Sequence, residues 1–254
     1  MENIDVNDRI VFIIAHKYIR GHATYLKYYT DNIKTYYPKA LTIVVDNNSN
    51  HVDEIFQTLE QNDRLILLSN NIDCKFEIGA YRVGMRYLID NNILDDYKYV
   101  VCTQDTFVLK NKYDFNILNN QNTTACTINS FHQDGLFQQA SDAILAHLGL
   151  NNNLDKITFC WCNSFVVSTI KVHQLLGYLE QLTIQRSVER EVSERYLARI
   201  LWELNEYINT DIDGNISNLN QHYDCHTVDI INSTTPTYFV KRAHQRTENT
   251  PEQW

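Results

Sequence analysis

Arg9-Ile-Val-Phe-Ile-Ile-Ala15 is a short, unbroken apolar run, the pattern expected of a strand covered on both faces. The same signature returns in Ala40-Leu-Thr-Ile-Val-Val-Asp46, Arg64-Leu-Ile-Leu-Leu-Ser69 and Tyr97-Lys-Tyr-Val-Val-Cys102. Between these runs lie helical patterns. Residues 22–36 carry Tyr25, Leu26, Tyr29 and Ile33 at helical spacing and stop before Pro38. Residues 52–59 form a second such pattern, and residues 79–91 form a third with Tyr81, Met85, Leu88 and Ile89 inward. Strand–helix units at roughly 30-residue spacing predict an α/β fold, a Rossmann-like sheet of parallel strands with helices on both faces. Ligands of such sheets bind beyond the carboxyl ends of the strands. His16, Asp46, Asn47, Asn48, Gln104 and Asp105 are therefore the polar residues to watch.

The second half is less regular. Strands are expected over 123–129 and 237–241, and a strand pair or one long strand over 157–167. Helices are expected over 138–148, 170–182 and 188–207. The 254 residues contain no internal repeat and no low-complexity linker. They read as one domain, with a nucleotide-binding half over about 9–120 and a mixed acceptor half over about 121–254.

Composition excludes several classes. Lys and Arg number 22 against 31 Asp and Glu, a net charge of −9, so the chain is a poor general binder of nucleic-acid backbones. No apolar run reaches the roughly 20 residues of a membrane span. The acidic, polar start is unlike a secretory leader, and the expected location is cytoplasmic. Six cysteines (74, 102, 126, 160, 162 and 225) include no Cys-x-x-Cys pair and read as reduced, packed thiols. The 28 asparagines, with abundant Ile and Tyr, suggest an AT-rich genome such as that of a large DNA virus or a protist. A virus would place the chain in its host's cytoplasm. Phosphate-cradling glycine loops of the P-loop and dinucleotide types are absent, as is the serine-hydrolase elbow.

What remains is a pattern of strand-end carboxylates. Asp46 can accept hydrogen bonds from a base or ribose, or serve as a turn residue before the next helix. Asp105 stands between two apolar strand segments, where a carboxylate needs a partner or a cation. A divalent ion bridging it to a diphosphate meets that need, as does a salt bridge. In Phe76-Glu-Ile-Gly-Ala-Tyr-Arg82, Gly79 permits a close approach and Arg82 can reach a phosphate, although a plain helix start also explains the segment.

These pieces resemble, in order and spacing, the nucleotide-sugar half of GT-A fold glycosyltransferases. The likeness is to the branch of rhamnan-synthesis and giant-virus enzymes related to the large inverting family. The matching stretches are Val11 to His16, Ile43 to Ser49, Glu77 to Arg82 and Tyr99 to Thr106. The likeness continues in Phe159-Cys-Trp-Cys-Asn-Ser-Phe-Val-Val167 and Val188-Glu-Arg-Glu-Val-Ser193. The resemblance implies a donor of the nucleoside-diphosphate-sugar class (UDP foremost), a glycan or polysaccharide acceptor, and Mn²⁺ or Mg²⁺. It implies donor contacts from His16, Asp46, Asn48, Gly79, Arg82, Gln104 and Lys241. Asp105 would hold the metal in the place of an Asp-x-Asp motif, which this chain reduces to Gln104-Asp105-Thr106. The resemblance implies His244 as the residue that would complete the metal shell, with His222 and His226 behind it, or else Lys241, Arg242 and Arg246 neutralising the diphosphate directly, although a solvated basic tail also explains that cluster. An inverting transfer needs a general base. The helix-start carboxylates Glu189, Glu191 and Glu194 are available; by the resemblance Glu189 matches the family position best and Glu191 is next, though the helix dipole alone favours acids in a first turn. Trp161 remains open as a surface on which a sugar ring could stack, whereas Trp202 reads as core. Two rival functions are a non-catalytic sugar-binding relic and a sugar-nucleotidyltransferase.

Overall fold

The computed structural model describes residues 5–17, 23–49, 56–57, 59, 62–128, 130–132, 138–150, 158–204 and 238–241. In chain order the strands and helices are β1 (Ile10–His16), α1 (Ala23–Tyr36), β2 (Leu41–Asp46), β3 (Leu65–Ser69), α2 (Phe76–Asp90), β4 (Tyr99–Gln104) and β5 (Phe107–Leu109). There follow α3 (Asn116–Asn120), β6 (Ala125–Thr127), β7 (Ser130–His132), α4 (Gln138–His147), β8 (Thr158–Cys160), β9 (Phe165–Ser168), α5 (Thr169–Leu179), α6 (Ser187–Leu204) and β10 (Phe239–Lys241).

Six strands form one sheet in the order β3-β2-β1-β4-β9-β6. The first four are parallel, and β9 runs antiparallel to both its neighbours. The class is thus mixed α/β, and the four apolar runs are the four parallel strands. Every residue of β1, β2 and β4 is buried, as expected for strands covered on both sides. The stretch over 157–167 is a strand pair, β8 and β9, separated by a turn of 3-10 helix over Trp161–Asn163. The expected helix at 52–59 lies largely outside the described residues. β5 is the apolar segment that follows Asp105, whereas β7 and α3, with three and five residues, carry no sequence signal of their own.

Alternation along the strands divides the core. Val11, Ile13, Ile43, Val45, Val100 and Cys102 face α2, α5 and α6, and the residues beside them face α1. Leu26, Tyr29 and Ile33 of α1 are all buried there. Each is worth about 1.5–3 kcal/mol in transfer free energy. The five described cysteines are buried thiols, and burial pushes that of Cys126 up to about 12. Among the described residues no helix is long and apolar enough to cross a membrane.

A polar staple ties residues 5–7 to the start of α3. Asp5 Oδ1 accepts from Asn7 and Asn116 side-chain amides at 2.9 and 2.8 Å. Asp114 Oδ1 accepts from the same two amides at 2.9 and 2.8 Å. Hydrogen bonds from Asn116 to Asp5 and from Asn7 to Asp114 lead the causes that hold both carboxyls below their ordinary 3.8. A depressed carboxyl stabilises the fold above its unfolded value and stops doing so as pH falls through its folded value. Thermal melts should therefore show a drop in Tm below pH about 4 that is shallower in an Asp5→Asn/Asp114→Asn double variant. An identical pH profile in the two proteins would refute the staple.

Candidate functional site

The strand order itself points to a position. The chain winds β1, β2, β3 outward to one side and then returns to lay β4 on the other side of β1. Beyond the carboxyl ends of β1 and β4 lies the crevice where such sheets hold ligands. His16 and Asp105 flank it.

Register places His16 opposite Asp46 and Ala15 opposite Gln104, and the Asp105 N–H donates to the Ala15 carbonyl at 2.9 Å. Asp46, His16 and Asp105 therefore stand in one lateral row on three neighbouring strands, at positions that alternation assigns to the α1 face. At a strand spacing of about 4.8 Å, the two acids are roughly 10 Å apart with the imidazole between them.

Each member of the row has a defined environment. His16 Nδ1 donates to Asp105 Oδ2 at 2.6 Å, and the Lys17 backbone N–H donates to the same oxygen at 3.1 Å. The Asp105 side chain is 18% exposed and that of His16 3%. One carboxylate oxygen is thus fixed, while the group as a whole still reaches solvent. His16 Nε2 is buried without a hydrogen-bond partner among the described residues. Asp46 is engaged within its own turn, where its carboxylate accepts from the Ser49 backbone N–H at 2.7 Å and from the Ser49 hydroxyl. This is the turn role that competes with a ligand role for any Asp at a strand end. Asn48, in the same turn, has φ +56, a conformation asparagine tolerates better than most residues. Lys17 Nζ crosses from β1 to donate to the Asn47 and Asn48 carbonyls, both at 2.8 Å. Burial lowers the Lys17 pKa, and the Asp46 charge opposes that shift.

Gln104 lies one residue before Asp105, so its side chain belongs to the opposite face. Its amide donates to Glu77 Oε1 at 2.5 Å and to the Cys162 carbonyl at 3.0 Å. Glu77 comes from the first turn of α2 and Cys162 from the turn before β9.

Gly79 and Arg82 serve the packing of α2. A Cβ on Gly79 would sit 1.8 Å from the Cys74 carbonyl oxygen and 2.6 Å from Asn70 Nδ2, so the close approach is to this chain's own backbone. Arg82 donates to the Leu182 carbonyl at 3.0 Å, tying α2 to the segment after α5.

Glu189 is in the first turn of α6, where its Oε2 accepts from the backbone N–H groups of Gln185 and Arg186 at 2.8 and 3.0 Å. Arg186 pairs with its Oε1 at 2.7 Å. This is the reach-back half of a capping box, and the Gln185 backbone bond leads the causes that hold the carboxyl below its ordinary 4.5. Glu191, two residues on, is only half-buried. Trp161 is half-buried and packs against the α1-side core.

β10 pairs antiparallel with β5 and places Lys241 opposite Phe107, two residues beyond Asp105. His244, Arg242, Arg246, His222, His226 and Cys225 lie outside the described residues. Among the described residues no group of three or more His, Cys, Asp and Glu side chains is arranged to hold a metal ion. A depression of about 210 Å³ beside Thr42, Arg64 and Tyr37 lies at the amino edge of the sheet, the opposite edge from His16, Asp46 and Asp105.

No protein-family model matches the chain, and no curated protein matches it. Among solved structures it is similar to the mannosyltransferase Ktr4p from S. cerevisiae, at 13% identity and a TM-score of 0.41 over 77% of this chain and 64% of that one. It is also similar to core-mannan synthase A (CmsA/Ktr4) from Aspergillus fumigatus in its Mn/GDP form, at 10% identity and a TM-score of 0.41 over 77% of this chain and 70% of that one. The chain thus spans less than two thirds of the first of these proteins.

Proposed function

We propose that the chain is a glycosyltransferase of GT-A type that moves a monosaccharide from a nucleoside-diphosphate sugar to a hydroxyl of a glycan or polysaccharide. The observation that supports this reading is the row of Asp46, His16 and Asp105 at the topological switch point.

Asp105 is the group suited to a divalent cation. One oxygen is anchored by His16 and Lys17, and the carboxylate keeps some exposure. Mg²⁺-like ions are commonly held by one or two carboxylates together with substrate phosphates and water. Mn²⁺ or Mg²⁺ bound there would neutralise charge on the leaving diphosphate. His16 orients the carboxylate, as a hydrogen-bonded neighbour orients a metal ligand. The turn that Asp46 pins through Ser49 presents Asn47 and Asn48 to the nucleoside. Lys241 ends β10 beside Phe107, two residues beyond Asp105.

Inversion at the anomeric carbon requires a base that takes the acceptor's hydroxyl proton as that oxygen attacks opposite the leaving diphosphate. Glu189 is spent on capping and made less basic by it, so we assign the base to Glu191. Glu191→Gln should lower kcat by about 10²–10⁴-fold. Glu189→Gln should cost about 1 kcal/mol of stability and leave kcat within a few-fold. The reverse pattern in steady-state kinetics would return the role to Glu189.

The function itself is tested by incubating the chain with UDP-, GDP- and dTDP-sugars and Mn²⁺ and following donor hydrolysis. Release of nucleoside diphosphate from at least one donor, abolished by EDTA, is the expected result. The reduction of the metal motif to Gln104-Asp105-Thr106 favours, as a second reading, a sugar-binding relic. Such a protein would be stabilised against heat by glycan alone and not by nucleoside diphosphate with metal.

A further inference from the structure

Glu77 Oε2, Asn163 Nδ2 and Arg190 Nε are among the buried polar atoms that have no hydrogen-bond partner among the described residues. They belong to one closed circuit. The Gln104 amide bridges Glu77 Oε1 and the Cys162 carbonyl. Asn163, next in the chain, accepts at Oδ1 from the Ser193 hydroxyl at 3.0 Å, and that hydroxyl also lies 2.5 Å from the Arg190 carbonyl. Arg190 Nη1 returns to Glu77 Oε1 at 3.6 Å. Glu77 is 7% exposed and Asn163 is fully buried, whereas the Arg190 side chain is 21% exposed. The Arg190 side chain is therefore the most exposed of the three.

Its shape is held at some cost. Cys162 and Asn163 are consecutive non-glycine residues at φ +54 and +50, a strain of order 1 kcal/mol each of the sort that collects at ligand sites. The unused atoms are one carboxylate oxygen and two N–H donors. Neighbouring hydroxyls complement that set, because a hydroxyl gives its proton to the carboxylate and takes the N–H bonds on oxygen. A phosphate or a uronic carboxylate would instead face the Glu77 charge.

The circuit adjoins the Asp105 edge. Gln104 and Asp105 are consecutive, with Cα atoms about 3.8 Å apart, so a sugar joined to a diphosphate at Asp105 meets the circuit across the end of β4. Resting on the nucleotide-sugar reading of that edge, we infer that Glu77, Asn163 and Arg190 bind neighbouring hydroxyls of the transferred monosaccharide. The circuit thereby selects a neutral, fully hydroxylated hexose over uronic acids and deoxy sugars.

Calorimetry with Mn²⁺ tests this, comparing UDP and GDP alone with their hexose, deoxyhexose and uronic acid conjugates. The wild-type chain should bind a hexose donor at least tenfold tighter than the bare nucleotide and than the matching uronate or deoxy donor. In Glu77→Gln and Asn163→Asp, each confirmed folded by circular dichroism, nucleotide affinity should stay within twofold while the gain from the hexose falls about tenfold. If no nucleotide or donor binds, the nucleotide-sugar reading fails and this inference falls with it. If nucleotides bind but both variants keep the hexose gain and the discrimination, the sugar assignment alone is overturned. Should neither variant fold, the wild-type comparison decides: equal affinity for hexose, deoxyhexose and uronate donors refutes the inference, and a tenfold preference upholds it.

Discussion

Asp105→Asn is expected to lower donor turnover by roughly a thousandfold while the chain stays folded. The size follows from the several kcal/mol of charge stabilisation that a carboxylate-held cation supplies to a leaving diphosphate, at 1.36 kcal/mol per factor of ten. Asparagine keeps the shape of the side chain and loses its charge, so the contact with His16 weakens from a charge-assisted to a neutral hydrogen bond. That contributes about 1.5 kcal/mol to stability, a few degrees in Tm for a chain of this length. Initial rates with saturating donor, beside a thermal melt, separate the two effects. A variant that unfolds says nothing about chemistry, and one that stays folded with wild-type turnover removes Asp105 from the site.

Gly79→Ala should destabilise the protein by on the order of 3 kcal/mol, which lowers Tm by roughly 6–12 °C. The sign is opposite to helix propensity, which favours alanine over glycine by about 1 kcal/mol within a helix. The reversal follows from what the new methyl would strike: the Cys74 carbonyl oxygen at 1.8 Å, a backbone atom that moves only if the loop between β3 and α2 moves with it. Gly84, one turn later in α2, makes a useful control. A Cβ there would meet the Ile13 side chain at 2.6 Å, a longer approach than 1.8 Å and to a side chain, not to backbone, so Gly84→Ala should cost less. Equal melting temperatures for the two variants would show that the Cys74 contact is not limiting.

These cases show what the sequence made legible. The four parallel strands announce themselves because a strand covered on both faces must be apolar at every position, and only a run such as Ile10–Ile14 meets that demand. The carboxyl-edge residues follow from the rule for open α/β sheets, with no further information. Individual roles are less legible, because a residue's type leaves its partner open. Gly79 signals a close approach, but the sequence does not say to what; the structure supplies Cys74. Glu189 fits a base and a helix cap equally well, and its backbone bonds to Gln185 and Arg186 identify the cap. The circuit of Glu77, Gln104, Asn163 and Arg190 carried no local signal. Its members stand at least 27 positions apart and meet only after α2, β4 and α6 have come together.

The alternation of Gln104 and Asp105 across the end of β4 has a consequence for how such a protein can change. One extended backbone directs two neighbouring side chains into separate compartments, one lined by His16 and Lys17 and the other by Glu77 and Arg190. Mutations that reshape either compartment leave the other's walls untouched, so preference for the charged portion of a ligand and preference for its neutral portion can drift independently through evolution or be exchanged separately in the laboratory.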